Sequence, residues 1–390
     1  MHTFVLEISP LAAILCGCAA LCVILIIFIY FRPLWRVRNS VYRQPTGEAD
    51  GVCPASVVIF ASDDSESLRR LLPSVLGQKY SGPFEVIVVN EGQSDTTAEI
   101  VERLKLIHDN LYLTYTPDGA RQLSRKKLAL MIGIKAARYP VVVLTNANAV
   151  IESDEWLARM TEPFTDPGVE VVLGHSYIDG SSDRKPGAVS RVFNGTADEI
   201  VWLNSALSGR PYRGTSYNLA YTRDVFFNNR GFSRSLNLKY GDDDIFISEI
   251  SNRRNTRVVL HPDSFVKAKG YNVKRLYNEI RSRYYFTGRH LSHYGRRLQA
   301  LGSWLLWITL ILLGVAAYDL WPNLMGISVS VFCFVALMTA GIVLWRKVIF
   351  ALTGWKLLFS LPLLMLMRPF ANIVAYARSL SHRKYNYTWK

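Results

Sequence analysis

The stretch Pro140-Val141-Val142-Val143-Leu144-Thr145-Asn146-Ala147-Asn148-Ala149-Val150 decides the fold. Residues 141–144 are an unbroken apolar run rich in β-branched side chains. Such a run fits a strand buried on both faces of a parallel sheet. It ends in Thr145, Asn146, Ala147 and Asn148, and ligands of open α/β sheets bind beyond the carboxyl ends of strands. Two polar residues separated by one small residue aim two side chains at one spot. Two aspartates there would read as a metal–diphosphate site; this chain has two asparagines.

Outward from that strand, the preceding segment alternates strand and helix. Strands are expected at 56–60, 84–89 and 111–115, and helices at 65–76, 96–107 and 124–137. Thr96 and Glu99 fit a capping box at the second helix. Strands separated by helices of this length imply βαβ units. Beyond the central strand the pattern is less regular. A strand is expected near 169–173, a long helix near 187–207, a strand near 216–222 and a helix from about 243, with edge strands at 258–260 and 264–266.

The flanks are apolar. Of 390 residues, 50% are hydrophobic, and the formal net charge is +14. Residues 11–31 carry no charge and are long enough to cross a bilayer. Arg32, Arg36, Arg38 and Arg43 follow that run, the reverse of the order in a signal peptide. It reads as a retained anchor with its carboxyl end in the cytoplasm. Residues 303–318 and 325–345 form a second and third apolar run. The connection holds Asp319 but no Lys or Arg, and Arg296, Arg297, Arg346 and Lys347 flank the pair, so it reads as a hairpin crossing out and back. The resulting division is an anchor at 1–31, a basic juxtamembrane linker at 32–53, a domain at 54–270 and a basic amphipathic interfacial helix at 271–300. A transmembrane hairpin at 301–347 and an interfacial or re-entrant segment with a basic cytoplasmic tail at 348–390 complete it. The basic residues cluster near apolar segments, which argues for a membrane partner and against nucleic acid. The five cysteines have no paired spacing with His, so neither a zinc site nor a disulfide framework is indicated.

Four clusters can carry chemistry. Asn90-Glu91-Gly92-Gln93-Ser94-Asp95 closes a strand; its carboxylate can accept from a nucleotide base or ribose, or the cluster is a turn before a capped helix. Ser124-Arg125-Lys126-Lys127 opens a helix, where cations and free N–H groups suit a diphosphate, unless it is a solvated helix start. Asn146 and Asn148 are the third cluster. Gly241-Asp242-Asp243-Asp244 is the fourth, three adjacent carboxylates whose mutual repulsion needs compensation. Tyr271, Tyr277, Tyr284 and Tyr285 are either sugar-stacking rings or an interfacial belt. His175 and His261 read as exposed loop residues rather than ligands.

In order and spacing these pieces resemble the membrane-bound branch of the family 2 glycosyltransferases, along roughly residues 54–300. The resemblance is carried by Ser56-Val-Val-Ile-Phe-Ala-Ser62, Leu72-Pro-Ser-Val-Leu-Gly-Gln-Lys-Tyr80, Phe84-Glu-Val-Ile-Val-Val-Asn90, Ser124-Arg-Lys-Lys127 with Gly133-Ile-Lys-Ala-Ala137, Asn218-Leu-Ala-Tyr221 and the Asp run. It implies an α/β fold of the GT-A type, Rossmann-like with a mostly parallel sheet, in a cytoplasmic domain beside transmembrane helices. It implies a multi-pass protein of a bacterial inner membrane that takes a nucleotide-sugar donor and a glycan or lipid-linked acceptor, beside other polysaccharide-synthesis proteins.

Position by position, the resemblance makes Asp243 the catalytic base, with Asp242 beside it. Ala61, Glu91, Lys126, Lys127, Asn146, Asn148, Asn218, Arg283 and Tyr284 fall on donor- or substrate-binding positions. The family's Gln-x-x-Arg-Trp motif is reduced to Arg283-Tyr284, and its Asp-x-Asp motif to Asn146-Ala147-Asn148. Mg²⁺ or Mn²⁺ would then rest on Asn148 and Asp244. Hard cations prefer anionic oxygen, and each lost unit charge is worth about 4 kcal/mol at an effective dielectric of 20. Three outcomes stay open: a weakened metal, replacement of the metal by Lys and Arg, or a catalytically impaired pseudo-glycosyltransferase that scaffolds or regulates another enzyme.

Overall fold

The computed structural model describes residues 9–44, 52–62, 65–91, 95–117, 124–180, 187–291, 294–321 and 324–381. The chain divides into two compact units, Met1–Arg38 with His293–Val374, and Asn39–Ser292 with Ala375–Lys390.

Helix α1 (Pro10–Ile26) passes through a π-helical turn, Ile27–Phe31, into α2 (Arg32–Tyr42). Ser9 caps α1 by accepting from the Ala12 N–H at 3.0 Å, and Pro10 occupies the first turn. The residues after the apolar run, expected to begin a linker, stay helical to Tyr42. Leu34, Val37 and Val41 explain this: they recur at i, i+3 and i+7, and all three are buried.

The larger unit opens with β1 (Ala55–Ala61), α3 (Ser65–Leu76), β2 (Phe84–Asn90), α4 (Asp95–Lys105), β3 (Leu111–Tyr115), α5 (Arg125–Ala136) and β4 (Val141–Asn146). Helix α4 already contains Thr96, so that residue does not cap it; Gly92, Gln93 and Ser94 lie outside the described residues. After β4 come β5 (Ala149–Ile151), α6 (Trp156–Thr161), β6 (Val171–Gly174), β7 (Ser176–Ile178) and α7 (Ala188–Leu207). Then follow β8 (Leu219–Thr222), α8 (Arg223–Asn228), α9 (Ile245–Ile250), β9 (Thr256–Val259), β10 (Val266–Ala268) and α10 (Val273–Thr287).

Among the described residues, seven strands form one sheet in the order β3-β2-β1-β4-β8-β6-β9. The pairs β3-β2, β2-β1, β1-β4 and β6-β9 are parallel; β8 runs antiparallel to both β4 and β6. Helices cover the sheet, so β4 is buried along its whole length and no hydrophobic alternation is visible in it. Gly133 of α5 is what lets that helix approach: a Cβ there would stand 2.5 Å from Val58 and 2.8 Å from Val89. Register sets the rim, since Ala61 pairs with Asn90 and Phe60 with Asn146. The carboxyl ends of β1, β2 and β4 therefore finish level.

Strand β9 is an edge, as expected, but β10 is not. It is the middle of a second sheet, β5-β10-β7, because two three-residue strands too short to show a period flank it. Two further expectations are corrected. His175 is fully buried rather than exposed in a loop, stacked against Tyr177 and edge-on to Phe265. The basic residues of α10 do not share one outward face. Arg281 binds Asp198 at 2.7 Å, and Arg283 binds Asp242 and Asp243.

The smaller unit adds α11 (Tyr294–Asp319), α12 (Leu324–Thr353) and most of α13 (Leu361–Ser381). Among the described residues, Pro10–Tyr42, Ala300–Asp319 and Gly326–Thr353 are long and apolar enough to cross a membrane. Ser9 donates to Asp319, so the start of α1 and the α11–α12 connection lie at one end of this unit. The Trp307 indole donates to the Leu366 carbonyl at 2.8 Å. The interrupted segment after residue 347 resolves into the end of α12 and the helix α13, with Pro369 inside the latter.

Candidate active site

Gly241 sets the carboxylate cluster in place. Its φ of 113° is open to glycine alone, and a Cβ there would strike Ile245 at 2.8 Å. The three aspartates that follow are buried, and the first two share one guanidinium nitrogen, which offsets part of their repulsion. Asp242 meets Lys126 Nζ at 2.9 Å and Arg283 Nη2 at 3.2 Å. Asp243 meets Arg283 Nη2 at 2.5 Å through Oδ1, while its Oδ2 accepts from the Ser216 N–H at 2.9 Å and the Tyr284 hydroxyl at 2.8 Å. Asp244 caps α9, accepting from the Ile245 N–H at 2.7 Å, and its other oxygen bonds Thr287.

Burial opposes ionisation of Asp242, but Lys126 and Arg283 overcome it and hold the carboxyl well below the usual range. Among the described residues no salt bridge reaches Asp244. Burial first, and then the neighbouring Asp243, push it up to about 6. For Arg283 burial works against the charge, yet Asp243 and Asp242 keep the guanidinium firmly protonated. Burial and Asp243 raise the Tyr284 phenol well above its ordinary value, so it remains a donor. Arg213 lies 3.2 Å from the centre of the Tyr284 ring and bridges to Glu199 at 3.3 Å.

The amide pair joins this cluster through one short segment. Asn146 Nδ2 donates to Ser216 Oγ at 3.3 Å, and Asn148 Nδ2 donates to Tyr217 Oη at 3.1 Å and to the Lys269 carbonyl at 2.9 Å. Asn146 is 7% exposed, and its Oδ1 is buried without a hydrogen-bond partner among the described residues. Lys126 Nζ stands 5.9 Å from the ring of Phe60, which pairs with Asn146 across β1 and β4. Glu91 lies just past β2 with Arg125 at 3.6 Å, and buried Ala61 ends β1 on the same rim.

Two expected binding residues have other duties. Lys127 is buried, and its ammonium donates to the Ser235 carbonyl, to Ser235 Oγ at 3.0 Å and to the Tyr240 carbonyl at 2.8 Å. It pins the segment leading into Gly241, and burial lowers its pKa to about 8. Asn218 is wholly buried: it accepts from the Trp156 indole at 3.0 Å and donates to the carbonyls of His175 at 2.9 Å and Ser264 at 2.6 Å. Both amide protons and the amide oxygen thus have partners inside the protein.

Residues 56–241 match the model of Glycosyl transferase family 2. That stretch is similar to the family 2 glycosyltransferases. Over 154 residues the chain is 27% identical to poly-β-1,6-N-acetyl-D-glucosamine synthase of Staphylococcus aureus, covering 40% of this chain and 36% of that protein. The synthase of the same name from Staphylococcus epidermidis is 31% identical over 146 residues, 37% of this chain and 33% of that one. The matched stretch thus spans about a third of these relatives' length. A mannosyltransferase from Pyrobaculum calidifontis, solved with GDP-Man and Mn²⁺, superposes with a TM-score of 0.57 at 16% identity, over 96% of this chain and 99% of that one. That likeness establishes the GT-A-type fold. The match ends at Gly241, where the Asp run begins.

Divalent metal is present in that mannosyltransferase's structure, and the residues of this chain do not fit one. Among the described residues no group of three His, Cys, Asp or Glu is placed to hold an ion. Asn146 and Asn148 are neutral, Asp242 and Asp243 are ion-paired, and Asp244 faces Thr287 and a backbone N–H.

The contributions of Ser216, Tyr217, Arg213 and Glu199 were not foreseen. Ser216 acts partly through its backbone N–H, which no residue pattern can announce. Arg213 had a weak signal, as a single cation in the small polar run Arg213-Gly214-Thr215-Ser216 before a strand.

Proposed function

We propose that the chain is a membrane-bound inverting glycosyltransferase that passes a sugar from a nucleotide-sugar to a hydroxyl of a glycan or lipid-linked acceptor, at the cytoplasmic face of a bacterial inner membrane. The observation that carries this reading is the meeting of Asn146, at the strand rim, with the carboxylate of Asp243 on the two ends of Ser216. A sugar held at the rim then has a buried carboxylate within reach of the attacking hydroxyl.

In the reaction the acceptor oxygen bonds to the anomeric carbon as the bond to the donor phosphate breaks on the opposite face. The acceptor proton goes to Asp243 Oδ1 or Oδ2, and the electron pair leaves with the nucleoside diphosphate. General-base assistance of this kind contributes about 10²–10⁴-fold. Tyr284 and Ser216 orient the carboxylate. Glu91 and Ala61 border the nucleotide, and Asn146 and Asn148 face the sugar–diphosphate junction. Kinship with polysaccharide synthases supports a growing glycan as acceptor. Residues 54–270 are assigned as the catalytic domain, with 1–31 and 301–347 as the membrane-crossing parts; the shared end of Ser9 and Asp319 supports placing both connections on the outer side.

Membranes containing the full chain, supplied with labelled UDP-, GDP- and dTDP-sugars, should incorporate label, with the anomeric configuration reversed in the product. Absence of transfer and of donor hydrolysis across that panel sinks the reading.

A further inference from the structure

Resting on the nucleotide-sugar reading, we propose that the donor's diphosphate is received by protein cations, Lys126 and Arg283, and that the site carries no resident divalent ion.

The layering of charge is the first argument. The side chains of Asp242 and Asp243 are 2% and 0% exposed, whereas those of Lys126 and Arg283 in front of them are 18% and 12% exposed. A ligand arriving at the acidic turn from solvent meets ammonium and guanidinium before it meets Asp242 or Asp243. That order suits a diphosphate and repels a divalent cation.

Donor capacity is the second argument. Both carboxylate contacts of Arg283 run through Nη2, and its buried Nε has no hydrogen-bond partner among the described residues. A guanidinium carries five N–H donors in a fixed fork that matches phosphate oxygens, so Arg283 can bind phosphate without first abandoning Asp243.

The third argument concerns the amides. Asn148 gives both amide protons to Tyr217 and Lys269, and Asn146 offers a neutral, buried, unbonded Oδ1. Such an oxygen suits a ligand O–H, as on a sugar or ribose, better than an ion that prefers anionic oxygen.

The experiment uses the purified full chain in nanodiscs. Binding of UDP, GDP and dTDP is measured by calorimetry in EDTA and in Mn²⁺, and Mn²⁺ alone is titrated by electron paramagnetic resonance. At least one nucleotide should bind with a Kd that agrees within about twofold between EDTA and Mn²⁺, and the Mn²⁺ signal should match buffer. Lys126→Ala should weaken that nucleotide at least tenfold while Lys126→Arg, which keeps the charge and the fold, restores most of it. Stoichiometric Mn²⁺ uptake, a tenfold or greater tightening by Mn²⁺, or Lys126→Ala binding like the wild type overturns the inference and leaves the transferase reading standing. Failure of every nucleotide to bind in both media overturns the transferase reading and this inference with it.

Discussion

Asn146 and Asp243, far apart in sequence, are held together by Ser216: its hydroxyl accepts from the amide at 3.3 Å and its N–H donates to the carboxylate at 2.9 Å. The sheet rim and the acidic turn are thus one site. Asp243→Asn is expected to lower transfer by about 10²–10⁴-fold, the usual contribution of a general base, while leaving nucleotide affinity within a few-fold. Single-turnover transfer measured beside nucleotide binding separates the two. A variant that turns over normally would remove Asp243 from the chemistry.

Tyr284 donates to Asp243 at 2.8 Å and is itself backed by Arg213. Losing a hydrogen bond to a charged group costs about 1.5–3 kcal/mol, so Tyr284→Phe should reduce kcat by about 10- to 150-fold. KM for the donor should hold, because the ring and its contact with Arg213 remain. A change confined to KM would instead make Tyr284 a binding group.

Thr287 has one hydroxyl proton and two acceptors in reach, Asp244 and the Arg283 carbonyl at 3.1 Å. A proton on Asp244 reconciles them: Asp244 donates to Thr287, and Thr287 donates to the carbonyl. Its pKa of about 6, raised from 3.8 by burial and Asp243, has a definite linkage sign. Between pH 4 and pH 6 the folded protein binds more protons than the unfolded chain, so this group's contribution to stability falls as pH rises through that window. Above pH 6 the penalty is constant. Asp244→Asn should flatten this part of the melting-temperature profile between pH 4.5 and 6.5. An unchanged slope would show that Asp244 is ionised throughout.

Gly133 packs α5 onto Val58 and Val89. Gly133→Ala overpacks this contact and should destabilise the domain by about 1–3 kcal/mol, read as a lower melting temperature. A neutral result would mean that the helix can lift away without cost.

Much of this was legible from local pattern. The apolar run 141–144, the alternation before it, and the helix opening at Ser124 all appear in the structure as β4, the βαβ units and α5. Short-range chemistry decides such features. The duties of Lys127 were not legible, because its acceptors are backbone carbonyls at Ser235 and Tyr240, more than a hundred residues on. Nor were β5 and β7, whose three residues are too few to show a period and exist because β10 lies between them. Arg283 was legible through the motif remnant Arg283-Tyr284, but its pairing with two aspartates was not, because those partners lie some forty residues earlier in the chain.

Asn218 has a bearing on how any mutational survey of this protein should be interpreted. A single amide there ties together a tryptophan and two loop carbonyls, and Gly174 packs so close that a Cβ would lie 2.4 Å from it. Position 218 will therefore score as intolerant in a growth-based screen, alongside Asp243. Expression level distinguishes the two: one class of null allele vanishes from the membrane fraction, and the other accumulates as inert protein.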